Sequence, residues 1–366
     1  MQIDEIRRVV VRGANWVGDA VMTVPALIEL RRVLPCAHIT LATRAWAEGI
    51  FADADFIDDL MITDAPTRGV RRFFRQAKEW RKRRFDCAVL FPNAFEPALL
   101  AFAARIPLRT GYATDGRRPL LTHPLDVPTW RGRRHEVFYY LNIISELEQH
   151  LTGATHVNFD QTQLRLGVSG AREATAHELL RRVGVTFQRP LVALCPGSTN
   201  SRAKRWPSAN YAALADRLIE EAGADCILIG AREELDVTRE VAARMRRQPV
   251  VLTGETSLAE TVAVLGLVDL LVTNDTGPAH IAAALARPTL VIFGPTDPTT
   301  TRPFSHVAEV IRHPPVCAPC MLRDCPIDHR CMTAITPAEI FVRAVEILER
   351  HPAFATQQAT GAEVVR

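Results

Sequence analysis

The stretch VTNDTGPAHIAAA, residues 272–284, moves from β-branched residues through a polar turn into a run rich in alanine. That order reads as strand, turn and helix, with Pro278 in the first helical turn, where its missing N–H costs nothing. The amides of Thr276 and Gly277 then lie at the positive end of the helix dipole, a place that favours an anion. Working outward, the same succession recurs. CPGSTNSRAKRWP (195–207) ends one apolar run and leads into a helix expected from Ser208 to Glu221, and RGANWVGDAVMTVPAL (12–27) follows another.

Short β-branched runs alternating with Ala/Leu/Arg-rich amphipathic stretches are the pattern of parallel strands joined by crossover helices, so the fold class is α/β. Strands are expected at Arg7–Val11, His38–Ala42 and Cys87–Phe91 in the first half, and at Leu191–Cys195, Asp225–Ile229, Leu270–Val272 and Thr289–Phe293 in the second. Between the two sets, residues 150–189 are mostly polar connection around one expected helix, Gly170–Val183. A chain of 366 residues, 48% of them hydrophobic, holds apolar material for two cores rather than one. The domain boundary is placed at 165, giving domains 1–165 and 166–335, then a helix at 336–350 and a disordered tail at 351–366. No motif recurs at a fixed period, so the halves are two open units rather than a sequence repeat. Ligands of such sheets bind beyond the carboxyl ends of the strands, which puts the expected site in a cleft between two Rossmann-like domains.

Composition excludes several classes. The most apolar region, Ala88 to Ala104, is broken by Pro92, Asn93, Glu96 and Pro97, so no membrane span is expected. Residues 1–8 run straight into Val9–Val11 with neither an apolar leader nor a small-residue cleavage site, which points to the cytoplasm. The eight cysteines would be reduced there, as buried thiols or metal ligands. A net charge of +3 names no partner, but its distribution is uneven: Arg68 to Arg84 carries nine basic residues against one acid, with Phe73, Phe74, Ala77 and Trp80 at helical spacing. A second cluster holds Arg117, Arg118, Arg131, Arg133 and Arg134. Both read as solvated surface or as contacts for anionic lipid headgroups, and no nucleic-acid recognition motif accompanies them.

Three loops carry candidate chemistry. Asp19 falls where the first apolar helix begins, as a helix cap or as a general base, while Gly13 and Gly18 let the loop backbone approach a sugar. Ser198 and Thr199 offer hydroxyls and amides to phosphate oxygens, Lys204 adds a point charge, and Trp206 packs the loop; the Gly-Lys-Ser/Thr order of a Walker loop is absent. Asp275 suits donor-sugar hydroxyls rather than phosphate, and His280 is either a second phosphate donor or a core histidine. Separately, Cys317, Cys320, Cys325 and Cys331, with His313 and His329 nearby, have spacing that suits a structural zinc or iron–sulfur site, or are simply reduced thiols.

NWVGDAVMTVPAL (15–27), LFPNAF (90–95), CPGSTNSRAKRWP (195–207), LTGETSLAETVAVL (252–265) and VTNDTGPAHIAAALARPTLVIFGPTDP (272–298) together resemble the lipopolysaccharide heptosyltransferases of glycosyltransferase family 9, most of all the type II group. The resemblance runs from the first strand to about residue 349. It implies a GT-B fold, two Rossmann-like domains facing across a cleft, with the acceptor on the first and ADP-L-glycero-β-D-manno-heptose on the second, and the last helix packing back across the domains. It makes Asp19 the catalytic base and Lys204 the donor-phosphate lysine. The donor set becomes Ser198, Thr199, Lys204, Glu255, Asp275, Thr276, Gly277 and His280, with Glu233 and Glu234 as alternatives to Glu255 at the adenosine ribose. Asn15, Trp16 and Asn93 fall to the acceptor, a saccharide on Kdo-lipid A. The implied protein is an inverting transferase that needs no metal for catalysis, a monomer peripheral to the inner face of the inner membrane. A type I or other core heptosyltransferase would share the chemistry and differ in acceptor. A dehydrogenase should show Gly-x-Gly-x-x-Gly after its first strand, which is absent, and a non-catalytic nucleotide- or metal-binding protein is the remaining rival.

Overall fold

A computed structural model describes residues 3–63 and 69–350. Arg68 of the basic run and the expected disordered tail lie outside the described residues. The chain divides into two compact units, Met1–Leu166 and Gly167–Arg366.

The first unit is built on six parallel strands: β1 Arg8–Arg12, β2 His38–Thr43, β3 Asp59–Ile62, β4 Cys87–Leu90, β5 Leu108–Tyr112 and β6 His123–Leu125, in the order β3-β2-β1-β4-β5-β6. Its central strands are apolar on both faces, as a parallel sheet covered on both sides requires. Val10, Ala88 and Leu90 join Ala77 and Trp80 of helix Val70–Arg83 and Ala98, Leu100 and Ala101 of helix Phe95–Ala103 in one cluster. Val9, Val11, Ile39 and Leu41, which point the other way, are equally buried. Helices Val24–Val33 and Glu136–Thr152 pack together and are joined by a fork of two hydrogen bonds from Arg32 to Glu148, both 2.9 Å. Burial pushes the Glu148 carboxyl up, but the bonds from Arg32, the His156 amide and Thr155 outweigh it and hold the group at about 2.

The second unit repeats that winding with β7 Leu191–Cys195, β8 Asp225–Leu228, β9 Val250–Val251, β10 Leu270–Asn274, β11 Thr289–Ile292 and β12 Ala308–Ile311, in the order β12-β11-β10-β7-β8-β9 and parallel throughout. Read from the opposite edge, this is the order of the first sheet. Val192, Leu194, Cys226, Leu228, Val272 and Ile292 pack with Trp206, Tyr211, Leu214 and Leu218, and the last helix, Pro337–Leu348, adds Ile340, Phe341, Ala344 and Leu348 to the same core. That helix packs on helix Ser208–Glu220, within its own unit.

Two expectations are corrected. Arg117, assigned to a surface cluster, is fully buried: its Nε donates to the Tyr112 carbonyl at 2.7 Å and its Nη1 to the carbonyls of Pro92 and Ala94. Burial pulls its pKa down to about 10, against the charges of Tyr139 and Asp115. Phe74, read as part of the apolar stripe of its helix, is 65% exposed, because the face that meets the core carries buried Ala77 and Trp80 with Phe73 packed at its edge.

Candidate active site

In both sheets the winding reverses direction between the first and fourth strands of the unit, and the crevice beyond the carboxyl ends of those two strands is where open α/β sheets take ligands. In the first unit these are β1 and β4; in the second, β7 and β10. Asn15, Trp16 and Asp19 follow β1, Asn93 follows β4, Ser198, Thr199 and Lys204 follow β7, and Asp275 to His280 follow β10, whereas Glu233 and Glu234 follow β8 and Glu255 follows β9.

Beyond β1, Gly13 is tightly enclosed: a Cβ there would come within 3.2 Å of Leu41 Cδ1 and 3.3 Å of Thr43 Oγ1. Asn15 and Trp16 follow on the surface, Trp16 56% exposed, with Asn15 Oδ1 accepting from Arg12 at 3.2 Å. The helix begins at Val17, so Gly18 sits inside it rather than in the loop, and Asp19 is its third residue rather than its cap. That position is favoured by the helix dipole. Asp19 is half-buried, and its charge is among the groups that, with burial, raise the pKa of the Tyr140 hydroxyl. Beyond β4, Asn93 donates to the Tyr139 hydroxyl at 3.1 Å, and its carbonyl accepts from Thr114 at 2.8 Å. Buried Arg117 holds the carbonyls on either side of Asn93, so the loop that presents this side chain is fixed from beneath.

The second unit is more tightly organised. Lys204 ends the short 3-10 turn Arg202–Lys204, and its Nζ reaches Asp275, 2.7 Å from Oδ2 and 3.2 Å from the main-chain oxygen. Asp275 is 5% exposed, and the same Oδ2 accepts from Thr296 Oγ1 at 2.7 Å. Asp275 was expected on sugar hydroxyls; here its carboxylate orients the lysine. Thr276 precedes the helix Gly277–Ala284; Pro278 has no N–H and the Ala279 amide donates to the Thr276 carbonyl at 3.1 Å, which leaves the amides of Thr276 and Gly277 at the positive end of the helix dipole. His280 is buried one turn further in.

Asn274, missed in the sequence reading, ties these loops together. Its Nδ2 donates to the carbonyls of Pro196 at 2.9 Å and Gly197 at 3.0 Å. Its Oδ1 accepts from the Trp206 amide at 3.0 Å and the Tyr211 hydroxyl at 3.1 Å. Every donor and acceptor position of the fully buried amide is thereby used. Ser198 is buried, its carbonyl gripped by Arg205, while Thr199 is exposed and donates to Glu234 Oε1 at 3.2 Å. Glu234 is itself buried and also accepts from the Ala231 amide at 2.8 Å. A Cβ on Gly197 would lie 2.3 Å from its carboxyl carbon, so any larger residue there would have to displace the Glu234 carboxylate from its partners. Of the three glutamates considered for the ribose, Glu234 is thus committed inside the loop, whereas Glu233 and Glu255 are exposed.

The metal reading of the cysteines gains no support. All four are free thiols: Cys317 and Cys325 are exposed, Cys320 is half-buried, and Cys331 is buried among core residues, where burial and the neighbouring thiols raise its pKa. Among the described residues no group of three or more His, Cys, Asp or Glu side chains is placed to hold a metal ion.

Two doubly wound units, one with a cation and a helix N-terminus at its switch point and the other with a carboxylate and an exposed tryptophan, define an α/β protein suited to an anionic, nucleotide-like ligand. The chain belongs to glycosyltransferase family 9 (heptosyltransferase), whose profile matches residues 73–330, and it is a glycosyltransferase with the α/β architecture of the GT-B class. It is 31% identical over 317 residues to lipopolysaccharide heptosyltransferase 2 of Escherichia coli K12, covering 83% of this chain and 88% of that one. The Salmonella typhimurium lipopolysaccharide heptosyltransferase 2 is likewise 31% identical, over 321 residues and the same shares. The solved E. coli ADP-heptose LPS heptosyltransferase II superimposes with a TM-score of 0.77 at 26% identity, over 96% of this chain and 99% of that one.

Proposed function

We propose that this chain transfers L-glycero-D-manno-heptose from ADP-heptose to the inner-core heptose of lipopolysaccharide, as a heptosyltransferase of type II. The observation that carries the reading is the ion pair of Lys204 with Asp275 beside the N-terminus of helix Gly277–Ala284 at the switch point of the second sheet. As the bond between the anomeric carbon and the diphosphate breaks, charge builds on the phosphate oxygens; a fixed ammonium and the positive end of the helix dipole at Thr276 and Gly277 stabilise that charge more than the ground state. Asp19 takes the proton from the attacking acceptor hydroxyl, whose oxygen bonds to the anomeric carbon as ADP leaves from the opposite face, so the configuration inverts. Trp16 offers an exposed aromatic face on which a sugar ring can lie, with Asn15 and Asn93 supplying hydrogen bonds to the acceptor. Glu255 or Glu233 takes the ribose hydroxyls.

The same reading places the enzyme at the inner face of the membrane that holds its lipid acceptor. Among the described residues no helix is long and apolar enough to cross a membrane. Helix Val70–Arg83 instead exposes Val70 and Phe74 beside Arg71, Arg75, Lys78, Arg81 and Lys82, a combination that suits anionic headgroups. One chain carries both halves of the chemistry, so a monomer suffices.

The test is to incubate the protein with ADP-heptose and Kdo-lipid A acceptors bearing zero or one heptose and weigh the products. Addition only to the singly heptosylated acceptor supports the type II assignment. Addition to the bare Kdo acceptor would make it type I, and no addition to either would remove the proposal.

A further inference from the structure

The cysteine-bearing segment, which the proposed chemistry leaves unused, lies against the turn that carries Lys204. The Ala203 amide donates to the Arg323 carbonyl at 2.9 Å, and Ser201 Oγ lies 3.3 Å from the carbonyls of both Leu322 and Arg323. Arg202 pairs with Asp324 at 2.6 Å on the surface. On the other side of the same residue, His329 Nε2 lies 2.6 Å from the Ala203 carbonyl. A carbonyl only accepts, so Nε2 carries the proton and donates. Both polar groups of Ala203, the residue immediately before Lys204, are therefore held by residues more than a hundred positions away.

His329 itself adopts a left-handed backbone, φ +57°, just before the short helix Arg330–Thr333. Non-glycine residues keep that conformation only where the surroundings over-determine it. The conformation points the imidazole at the Lys204 turn.

We infer that His329 is a positioning residue for the donor site: through the Ala203 carbonyl it fixes the turn that aims Lys204 at the donor diphosphate. The inference rests on the donor reading of Lys204 given above. His329 meets the turn at the Ala203 carbonyl rather than at Lys204 itself, so its effect passes through the lysine.

Two substitutions separate the hydrogen bond from the backbone conformation. Asparagine tolerates the left-handed region well, but its amide ends where the near edge of the imidazole ring lies and falls short of Ala203. Glutamine is less suited to that backbone, yet its Nε2 reaches about as far as that of histidine. We expect His329→Asn to weaken ADP binding, measured by calorimetry, by roughly 5- to 30-fold, the equivalent of one lost charge-orienting hydrogen bond. His329→Gln should restore it to within about threefold. In a Lys204→Ala background, His329→Asn should cost less than about twofold further, because the residue it positions is gone.

Asparagine binding ADP as tightly as histidine, glutamine failing to rescue, or full additivity with Lys204→Ala would each overturn the positioning role. If the unaltered protein bound no ADP, the donor reading would fall and the role of His329 with it. Circular dichroism melts of each variant tell loss of fold apart from loss of binding.

Discussion

Lys204 and Asp275 join the ends of two neighbouring strands, β7 and β10: the ammonium nitrogen lies 2.7 Å from the carboxylate, whose same oxygen also accepts from Thr296. The lysine is a quarter exposed and the aspartate 5%, so one partner is locked and the other faces outward. Such a pair presents a positive charge at a fixed place without a search through rotamers.

Removing the lysine leaves a buried carboxylate that keeps its hydrogen bond from the Thr296 hydroxyl but loses its counter-charge. Lys204→Ala should lower the unfolding free energy by roughly 1–3 kcal/mol and weaken ADP binding by about tenfold or more. Lys204→Arg should not restore it, because a planar fork cannot take the place of a compact point charge. Denaturant titration and calorimetry read the two effects, and ADP affinity unchanged in the alanine variant would remove Lys204 from the donor site.

Asp19 is assigned a chemical rather than a binding role. Asp19→Asn keeps shape and polarity but removes basicity, so kcat should fall by about 10²- to 10⁴-fold while ADP affinity stays within about twofold. A variant retaining most of its turnover would show that some other group accepts the proton.

The buried amide of Asn274 makes four hydrogen bonds, three to the loop after β7 and one to Tyr211 of the helix that follows it. Asn274→Ala strands the Trp206 amide and the Pro196 and Gly197 carbonyls away from water, so unfolding should become easier by roughly 2–4 kcal/mol. Asn274→Asp should be no better, since a second carboxylate oxygen would face those two carbonyls. Equilibrium melts near the wild-type value in either variant would contradict this accounting.

Acid should loosen the first unit through Glu148. Its carboxyl is depressed to about 2 by Arg32, Thr155 and the His156 amide, below the roughly 4.3 of an unfolded glutamate. The stability it contributes is therefore present above the unfolded value and is lost as the pH falls from about 5 towards 2. Glu148→Gln should be less stable at neutral pH and show a flatter stability profile across that window. Equal slopes for the two proteins below pH 5 would refute the linkage.

Much of the architecture was legible because interior parallel strands are apolar on both faces and announce themselves as β-branched runs. The seven strands expected from sequence, β1, β2, β4, β7, β8, β10 and β11, each overlap an observed one. The other five are β3, β5, β6, β9 and β12. Four of them are edge strands of two to four residues, and β5, LRTGY, is interrupted by Arg109 and Gly111. A half-exposed edge has no need of a continuous apolar run, and its pairing is decided by the neighbour rather than by its own residues. The same distinction runs through the site. Lys204, Asp275 and Gly277 stood out because each lies in a local strand–turn–helix pattern. Asn274 and Thr296 did not, and Arg117 and His329 drew notice only for other roles, because what makes each of the four matter is a partner about 20 to 126 residues away.

The identical winding of the two sheets has a consequence for ancestry and engineering. Each half closes its own core and owns one mouth, and the junction at Leu166 and Gly167 falls in a coil that neither core uses. If, as proposed, the first unit takes the acceptor and the second the donor, then taste for the recipient saccharide and taste for the activated sugar can drift as separate traits, and a hybrid spliced at that junction should inherit one from each parent.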